Sequence, residues 1–281
     1  MKVAVTGSSG TVGQEVVKMC VEKGYSIVMI DLVKPKDNNT PNSEVKIANV
    51  ADDYHAFLDA LKGCDALIHL AAIPNPVDKL DADVHNNNVN SAFNGFRAAG
   101  ELGIKKIAYA SSVNAIGLSY SNQPRTWDYF PLDEDVEQRP TDSYALAKAE
   151  TEVQARAFVN WFPGMKIACL RIHEVLPRKA VTEEHAGDWV GSAIGQLWGW
   201  VHPTATARAC LAAVENSDNF EGCEVFNVHA TTTAQETPSR ELAQKYFPNA
   251  KISDDWGKTN ESFWKTDKIE RVLGWKHYEM E

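Results

Sequence analysis

Short apolar runs alternate with longer amphipathic segments along most of this chain. Runs rich in β-branched residues predict strands at 2–6, 25–30, 65–70, 104–111, 165–172 and 223–228, with a weaker candidate at 44–48. Apolar residues at helical spacing predict helices at 11–23, 52–62, 81–102, 141–162 and 202–216. This alternation is typical of an α/β fold with a doubly wound parallel sheet. The nearly continuous apolar strands indicate that the sheet is covered on both faces.

The regular alternation ends after the strand that finishes at Ile172. Residues 173–200 mix proline, glycine and tryptophan without a clear period, so we expect them to fold over the carboxyl edge of the sheet. The predicted core is therefore 1–172, with 201–228 returning to the sheet. Residues 173–200 and 229–281 then form a small C-terminal lobe, which we expect to bind the substrate.

The composition changes this picture little, but it narrows the partners and the compartment. The formal net charge of −10 disfavours nucleic-acid and anionic-membrane partners. No apolar run approaches the roughly 18 residues of a membrane helix, and the N-terminus does not read as a secretory signal. The 5 cysteines are an odd number without a CxxC pair, which favours buried thiols in a reducing compartment and predicts a cytoplasmic location. The histidine spacing predicts no metal site.

A glycine-rich loop, TGSSGTVG at 6–13, lies between the first predicted strand and helix. Its glycines permit a tight turn, and the following helix N-terminus offers free N–H groups to a pyrophosphate, as in a Rossmann-type fold. Asp31 ends the second predicted strand, where a carboxylate accepts the hydroxyls of an adenosine ribose and repels a 2′-phosphate. This favours NAD, although Lys34 and Lys36 leave NADP open.

Tyr144 and Lys148 are four residues apart in a predicted helix, so they share one face. A free tyrosine is a poor base at neutral pH, and we expect the neighbouring ammonium to lower its pKa. The segment YASSVNAIG at 109–117 supplies a hydroxyl donor at a strand end, where an open parallel sheet presents its ligands.

These motifs together resemble the extended branch of the short-chain dehydrogenase/reductase superfamily, the NAD-dependent epimerases and dehydratases. The resemblance runs through the whole chain and rests on TGSSGTVG, HLAA (69–72), NVNSAFNGFRAA (88–99), YALAK, WVHPTATARACLAAVE (200–215), FNV (226–228) and LGW (273–275). It implies a catalytic hydroxyl at Ser112, an acid/base at Tyr144, a pKa-lowering and ribose-binding role at Lys148, and a proton-relay asparagine at Asn88.

The resemblance also implies the cofactor site and the assembly. The residues expected to bind NAD are Gly7, Ser9, Gly10, Thr11, Val12, Gly13, Asp31, Leu32, Asn49, Val50, Leu70, Ala71, Ala72, Asn88, Ala110, Tyr144, Lys148 and Ile172. The helices at 81–102 and 141–162 are expected to pack into a four-helix bundle across a homodimer.

The residues after Ser112 bear on the reaction. The dehydratases of this branch carry an Asp–Glu pair there, whereas this chain has Val113 and Asn114, so elimination lacks its proton carriers. The short segment between LRIHEVLP (170–177) and WVHP (200–203) suits a small free substrate. The overall length, the ASSVNAIG stretch and the LRIHEVLP pattern resemble the uronate dehydrogenases, although Glu174 would repel a carboxylate and could instead accept sugar hydroxyls. Arg178 or Lys179 is then the candidate for a carboxylate-binding cation.

The sequence predicts an NAD-dependent oxidoreductase acting on a sugar or sugar acid, through a Ser-Tyr-Lys mechanism. The candidate substrate residues are Asn75, Ser112, Asn114, His173 and Glu174, with a turn role equally open for Asn75. Two alternatives remain at this stage: an epimerase of a sugar or nucleotide sugar that holds NAD tightly, and a non-catalytic NAD-binding sensor.

Overall fold

The structure is a computed structural model that describes residues 1–35, 39–123, 125–184 and 190–278. Its strands are β1 (Lys2–Thr6), β2 (Ser26–Asp31), β3 (Ser43–Ile47), β4 (Ala66–His69), β5 (Lys106–Ser112), β6 (Tyr129–Phe130), β7 (Lys166–Ile172), β8 (Cys223–Val228) and β9 (Lys251–Ile252). Its helices are α1 (Thr11–Glu22), α2 (Tyr54–Ala60), α3 (Asp81–Glu101), α4 (Ser143–Trp161), α5 (Arg178–Glu184), α6 (Val190–Gly195), α7 (Pro203–Glu215), α8 (Ser239–Tyr246) and α9 (Asp267–Leu273).

Seven strands form one parallel sheet in the order β3-β2-β1-β4-β5-β7-β8. The chain starts in the middle, builds outward through β2 and β3, and then crosses to β4 on the other side of β1. This reversal leaves a crevice at the carboxyl ends of β1 and β4, where open α/β sheets bind their ligands. The predicted Rossmann-type doubly wound fold is confirmed.

Alternate residues of each strand enter two separate apolar layers, as the period of 2 requires. Val3 and Val5 of β1 pack in one layer with α1 and α7. Ala4, between them, packs in the other layer with Phe96 of α3 and Phe158 of α4. Because both faces of the sheet are covered, its central strands β1, β4 and β5 are buried on both sides.

A third apolar cluster lies beside the carboxyl edge of the sheet. Phe130, Trp256 and Phe263 form its aromatic centre, next to the two-stranded sheet of β6 and β9. Residues 113–136 contribute to this cluster as well as the C-terminal segment. The boundaries given above for the small lobe stay a prediction.

The segment at 173–200 leaves the sheet and returns to the same edge. A parallel bridge joins Val175 to Val201, and the segment contains the short helices α5 and α6, which its lack of a clear period did not predict. Among the helices that the structure describes, none has the length and apolar character needed to cross a membrane.

Candidate active site

The glycine-rich loop turns tightly between β1 and α1. Gly7 has a φ of +64°, in the left-handed region that favours glycine. A Cβ on Gly13 would lie 2.1 Å from the carbonyl oxygen of Gly7, so only glycine allows the helix to start this close to the loop. Gly10 precedes α1 without a side-chain cap. The first N–H groups of α1 therefore face the cavity with a positive dipole end.

Asp31 is held at the end of β2 by the loop itself. Its Oδ2 accepts a hydrogen bond from the Ser9 backbone N–H at 2.8 Å, and its Oδ1 accepts from that of Leu32 at 2.7 Å. Each carboxylate oxygen keeps further acceptor capacity for a hydroxyl. Lys34 is exposed and does not line the cavity, and Lys36 lies outside the described residues.

A buried network fixes the turn after β4, which contains Leu70 and Ala71. Both backbone N–H groups donate to Thr6 Oγ1 at 3.0 Å, and Thr6 in turn donates to His69 Nδ1 at 2.8 Å. His69 Nε2 then donates to the Ser91 carbonyl at 3.0 Å. This arrangement requires a neutral imidazole, and burial lowers the pKa of His69 to about 4.

Ser112 is the last residue of β5, and its side-chain oxygen accepts two hydrogen bonds from Asn114. The Asn114 backbone N–H and Nδ2 both donate to Ser112 Oγ, at 3.2 and 3.3 Å. Asn114 Oδ1 accepts from the Ser119 N–H at 2.7 Å, which fixes the orientation of the amide. A serine oxygen has two lone pairs and one hydrogen, so the Ser112 hydroxyl remains as a donor. Asn114, predicted as a substrate residue, lines the cavity and also orients Ser112.

Tyr144 and Lys148 project from α4 beneath the same cavity. The helix is capped by Asp142, whose Oδ1 accepts from the Ala145 N–H at 2.8 Å, so its start lies directly before Tyr144. Lys148 Nζ donates to the Ala110 carbonyl of β5 at 2.6 Å and lies 5.7 Å from the centre of the Tyr144 ring. The i, i+4 spacing thus brings both side chains to the end of β5.

Burial opposes the charged forms of both groups. It raises the pKa of Tyr144, and a hydrogen bond from Ser112 to the phenol oxygen only partly offsets this. Burial also lowers the pKa of Lys148 to about 8. Burial of the phenol is thus the largest effect on the pKa of Tyr144 in the chain alone. The pKa-lowering role of Lys148 stays a prediction. The lysine remains mostly charged at neutral pH.

A buried ion pair lies directly behind these residues. Glu152 follows Lys148 by one further helical turn, and its carboxylate accepts from Arg171 Nε at 3.0 Å and Nη2 at 2.9 Å. Ser111 Oγ and Gln138 Nε2 also donate to it, at 2.7 and 2.8 Å. Since Arg171 lies on β7 and Ser111 on β5, these contacts join α4 to two strands of the sheet. Burial lowers the pKa of Lys148, and the Glu152 charge partly offsets this lowering.

His173 and Glu174 follow β7, whose last residue pairs with Ser112 in the register of the sheet. His173 Nε2 faces the Gln196 carbonyl at 3.0 Å, so it must donate. Its Nδ1 accepts from the Glu174 N–H at 2.7 Å. These two contacts fit a neutral ring. The Glu174 side chain is partly exposed at the cavity.

One cavity of about 820 Å³ runs from Asp31 to Glu174. All but two of the predicted site residues line it. They are Gly7, Ser9, Gly10, Thr11, Val12, Gly13, Asp31, Leu32, Asn49, Val50, Leu70, Ala71, Ala72, Ala110, Ser112, Asn114, Tyr144, Lys148, Ile172, His173 and Glu174.

Two predicted residues do not line the cavity. Asn88 is buried and holds the turn after β4, since its Oδ1 accepts from the Ile73 N–H at 2.7 Å and its Nδ2 donates to the Ile73 carbonyl at 2.9 Å. Asn75 accepts from the Val77 N–H and from Lys79 Nζ. These contacts favour the turn interpretation of Asn75 over the substrate one. Arg178 also lies away from the cavity and pairs with Glu236 at 2.5 Å.

The structure adds polar residues that the sequence reasoning missed. Ser119 and Tyr120 line the cavity from the loop after β5, and Gln196 does so from the 173–200 excursion. A signal existed for the first two, because they follow a strand that ends in a predicted catalytic residue. No periodicity or motif marked Gln196.

Comparison with known proteins identifies the group to which the chain is related. The model of the NAD dependent epimerase/dehydratase family matches residues 3–228. The chain belongs to this family. It is 34% identical over 166 residues to an NAD-dependent glucose-6-phosphate dehydrogenase of Haloferax volcanii, a match that covers 56% of the chain and 62% of that protein. The chain spans about 60% of the length of the first curated relatives it matches.

Solved structures share the fold at lower identity. A mutated uronate dehydrogenase superposes with a TM-score of 0.69 at 23% identity, covering 99% of this chain and 82% of that one. A short-chain dehydrogenase/reductase superfamily protein from Agrobacterium tumefaciens with bound NAD gives a TM-score of 0.73 at 19% identity, covering 99% and 93%. The predicted membership of the NAD-dependent epimerase/dehydratase family is confirmed, and so is NAD as the cofactor of this family.

The residues present fit a dinucleotide. The glycine cradle permits close backbone approach, and Ser9 Oγ is a buried polar atom without a hydrogen-bond partner among the described residues, beside the start of α1. Asp31 supplies the ribose acceptor at one end and Lys148 a cation at the other. Gly7, Ser9, Gly10, Asp31 and Lys148 are thus the residues that would hold NAD.

Proposed function

We propose that this chain is an NAD-dependent oxidoreductase that removes hydride from a hydroxyl-bearing carbon of a sugar or sugar acid. The observation that carries this proposal is the meeting of Ser112, Tyr144 and Lys148 in one cavity with the glycine-rich loop. A binding-only protein has no chemical need for a phenol, an oriented hydroxyl and an ammonium at the end of one strand. The family comprises enzymes of this chemistry, which favours catalysis over the sensor alternative.

The chain's own residues would handle the proton. Asn114 fills both lone pairs of Ser112 Oγ, so the Ser112 hydroxyl can only donate. In the chain alone it donates to the Tyr144 phenol oxygen, and with substrate bound it would donate to the substrate oxygen in its place and hold it. Tyr144 Oη takes the proton from the same oxygen. Lys148 keeps a positive charge near the phenol and, through its bond to the Ala110 carbonyl, a fixed position.

NAD bound in this cavity supplies the hydride acceptor and a positively charged ring. A positive charge near Tyr144 would favour its phenolate form and so lower its pKa, which burial alone raises. The protein's part is orientation and electrostatics, and the redox chemistry belongs to the cofactor.

The proposal is tested by mixing the purified protein with excess NAD and a panel of free aldoses, uronic acids, sugar phosphates and nucleotide sugars while NADH absorbance is followed. We expect NADH to accumulate with at least one sugar. The Tyr144→Phe variant should abolish it while still binding NADH, measured by fluorescence. A flat trace with every sugar would contradict the dehydrogenase, and a sugar returned as its epimer would support the epimerase instead.

We also propose that the chain forms a homodimer through α3 and α4. These helices pack against each other and expose apolar side chains on the outer face, with Val153 and Trp161 each 56% exposed and Phe93 and Leu146 about 40%. An outward apolar face shared by two long helices suits a four-helix bundle between two copies. Light scattering of the purified chain tests this proposal.

A further inference from the structure

A carboxylate lies at each end of the cavity. Asp31 lies at the end of β2, and Glu174 lies just past β7. Since β1, β4 and β5 separate these strands, the carboxylates are on the order of 19 Å apart at about 4.8 Å per strand. The Asp31 end suits the adenosine half of a dinucleotide. The substrate must therefore lie at the Glu174 end, beside Ser112 and Tyr144.

Cations are scarce at this end. Among the described residues that line the cavity, Lys148 is the single lysine or arginine, and its ammonium is bound to the Ala110 carbonyl beneath the reacting centre. His173 adds no charge, because its Nε2 donates to a carbonyl and its Nδ1 accepts from an N–H.

Three arginines of the segments around the site contact groups outside the cavity. Arg171 lies behind the catalytic helix in its pair with Glu152, and Arg178 pairs with Glu236. Arg125 stacks on Trp127, 4.3 Å from the ring centre. None of the three lines the cavity.

The polar groups that are present suit hydroxyls. Ser119, Tyr120, Asn87 and Gln196 surround the substrate end with amides and hydroxyls, and Glu174 adds an acceptor-only carboxylate. A carboxylate can accept from two adjacent sugar hydroxyls but repels a carboxylate, phosphate or diphosphate.

We infer that the substrate is an uncharged sugar, a free aldose or polyol, and that Glu174 is the residue that selects it against sugar acids and sugar phosphates. This inference rests on the proposed function. It narrows the substrate from a sugar or sugar acid to an uncharged sugar.

Steady-state rates with a neutral aldose series and the matching uronic acids and 6-phosphates test the inference. We expect kcat/KM for the neutral sugars to exceed that for their charged counterparts. The Glu174→Gln variant should narrow this ratio by about tenfold or more, because it removes the repelling charge and keeps a polar group of the same size. Glu150→Gln, which removes one exposed acid from the same protein, should leave the ratio unchanged.

A binding measurement separates failure of this inference from failure of the proposed function. The melting temperature of the NADH complex is measured with each sugar, so no turnover is needed. Stabilisation by neutral sugars, and not by their uronates or phosphates, supports the inference even if no NADH ever forms. A preference for a charged sugar in either assay, an unchanged ratio in Glu174→Gln, or no stabilisation by any neutral sugar would overturn it.

Discussion

Replacing Glu152 by glutamine should cost this protein much of its stability. The carboxylate is fully buried and accepts four hydrogen bonds: two from Arg171, one from Ser111 and one from Gln138. A glutamine at this position keeps the shape but places an NH2 group against a donor and leaves the Arg171 charge uncompensated. Removing one partner of a buried ion pair costs about 3–5 kcal/mol, a large part of the 5–15 kcal/mol that stabilises a typical domain.

Urea unfolding followed by tryptophan fluorescence measures this loss. The matched control is Glu101→Gln, which breaks a partly exposed Arg97–Glu101 pair at i, i+4 on α3 and should cost about 0.5 kcal/mol or less. If Glu152→Gln does not fold, the Glu152→Met/Arg171→Met double variant removes both charges and should be more stable than either single variant. A loss below about 1 kcal/mol in Glu152→Gln would refute the reasoning.

Four further outcomes follow from the geometry. Asn114→Ala removes the Nδ2 bond to Ser112 Oγ and frees one of its two lone pairs, while the backbone N–H bond remains; it should lower kcat about tenfold with little change in KM, which steady-state kinetics would detect, and a wild-type kcat would contradict the orienting role. Asp31→Ser should raise kcat/KM with NADP relative to NAD, and an unchanged cofactor ratio would argue against the ribose contact. His69 has a pKa of about 4 in the folded state against 6.5 unfolded, so the unfolded state binds more protons and the free energy of unfolding should fall by about 3 kcal/mol as the pH drops from 6.5 to 4; chemical denaturation across that range should show a shallower fall in His69→Gln. The Val153→Glu/Trp161→Glu double variant should be monomeric by light scattering, whereas an unchanged mass would place any dimer contact elsewhere.

The sheet was predictable because its strands carry their own signal. Each strand of the seven-stranded sheet was predicted, and even the weak 44–48 candidate lies at β3, whose partly exposed edge position explains its poor apolar pattern. The two-residue strands β6 and β9 gave no signal, since a pair of residues has no period. Helix α5 lies inside a stretch that lacks regular spacing altogether.

The candidate site was predictable where a motif fixed both residue and position. The glycine loop, Asp31, Ser112, Tyr144 and Lys148 all lie in one cavity because strand ends meet at one edge. Asn88 was predicted from the family resemblance, and Asn75 from its position after a strand. In the structure both side chains hydrogen-bond to nearby backbone groups. The Glu152–Arg171 pair could not be read from the sequence, because it depends on how α4 packs against β7. The Tyr144 pKa likewise depends on burial, which spacing does not report.

The most direct test of the account follows one labelled hydrogen. The protein is incubated with excess NAD and a neutral aldose deuterated at the carbon that bears the reacting hydroxyl, and the NADH formed is analysed by mass spectrometry. The account predicts deuterated NADH in amounts well above one equivalent per protomer, and none from Tyr144→Phe. Unlabelled NADH, or sugar recovered as an epimer without net NADH, would contradict it.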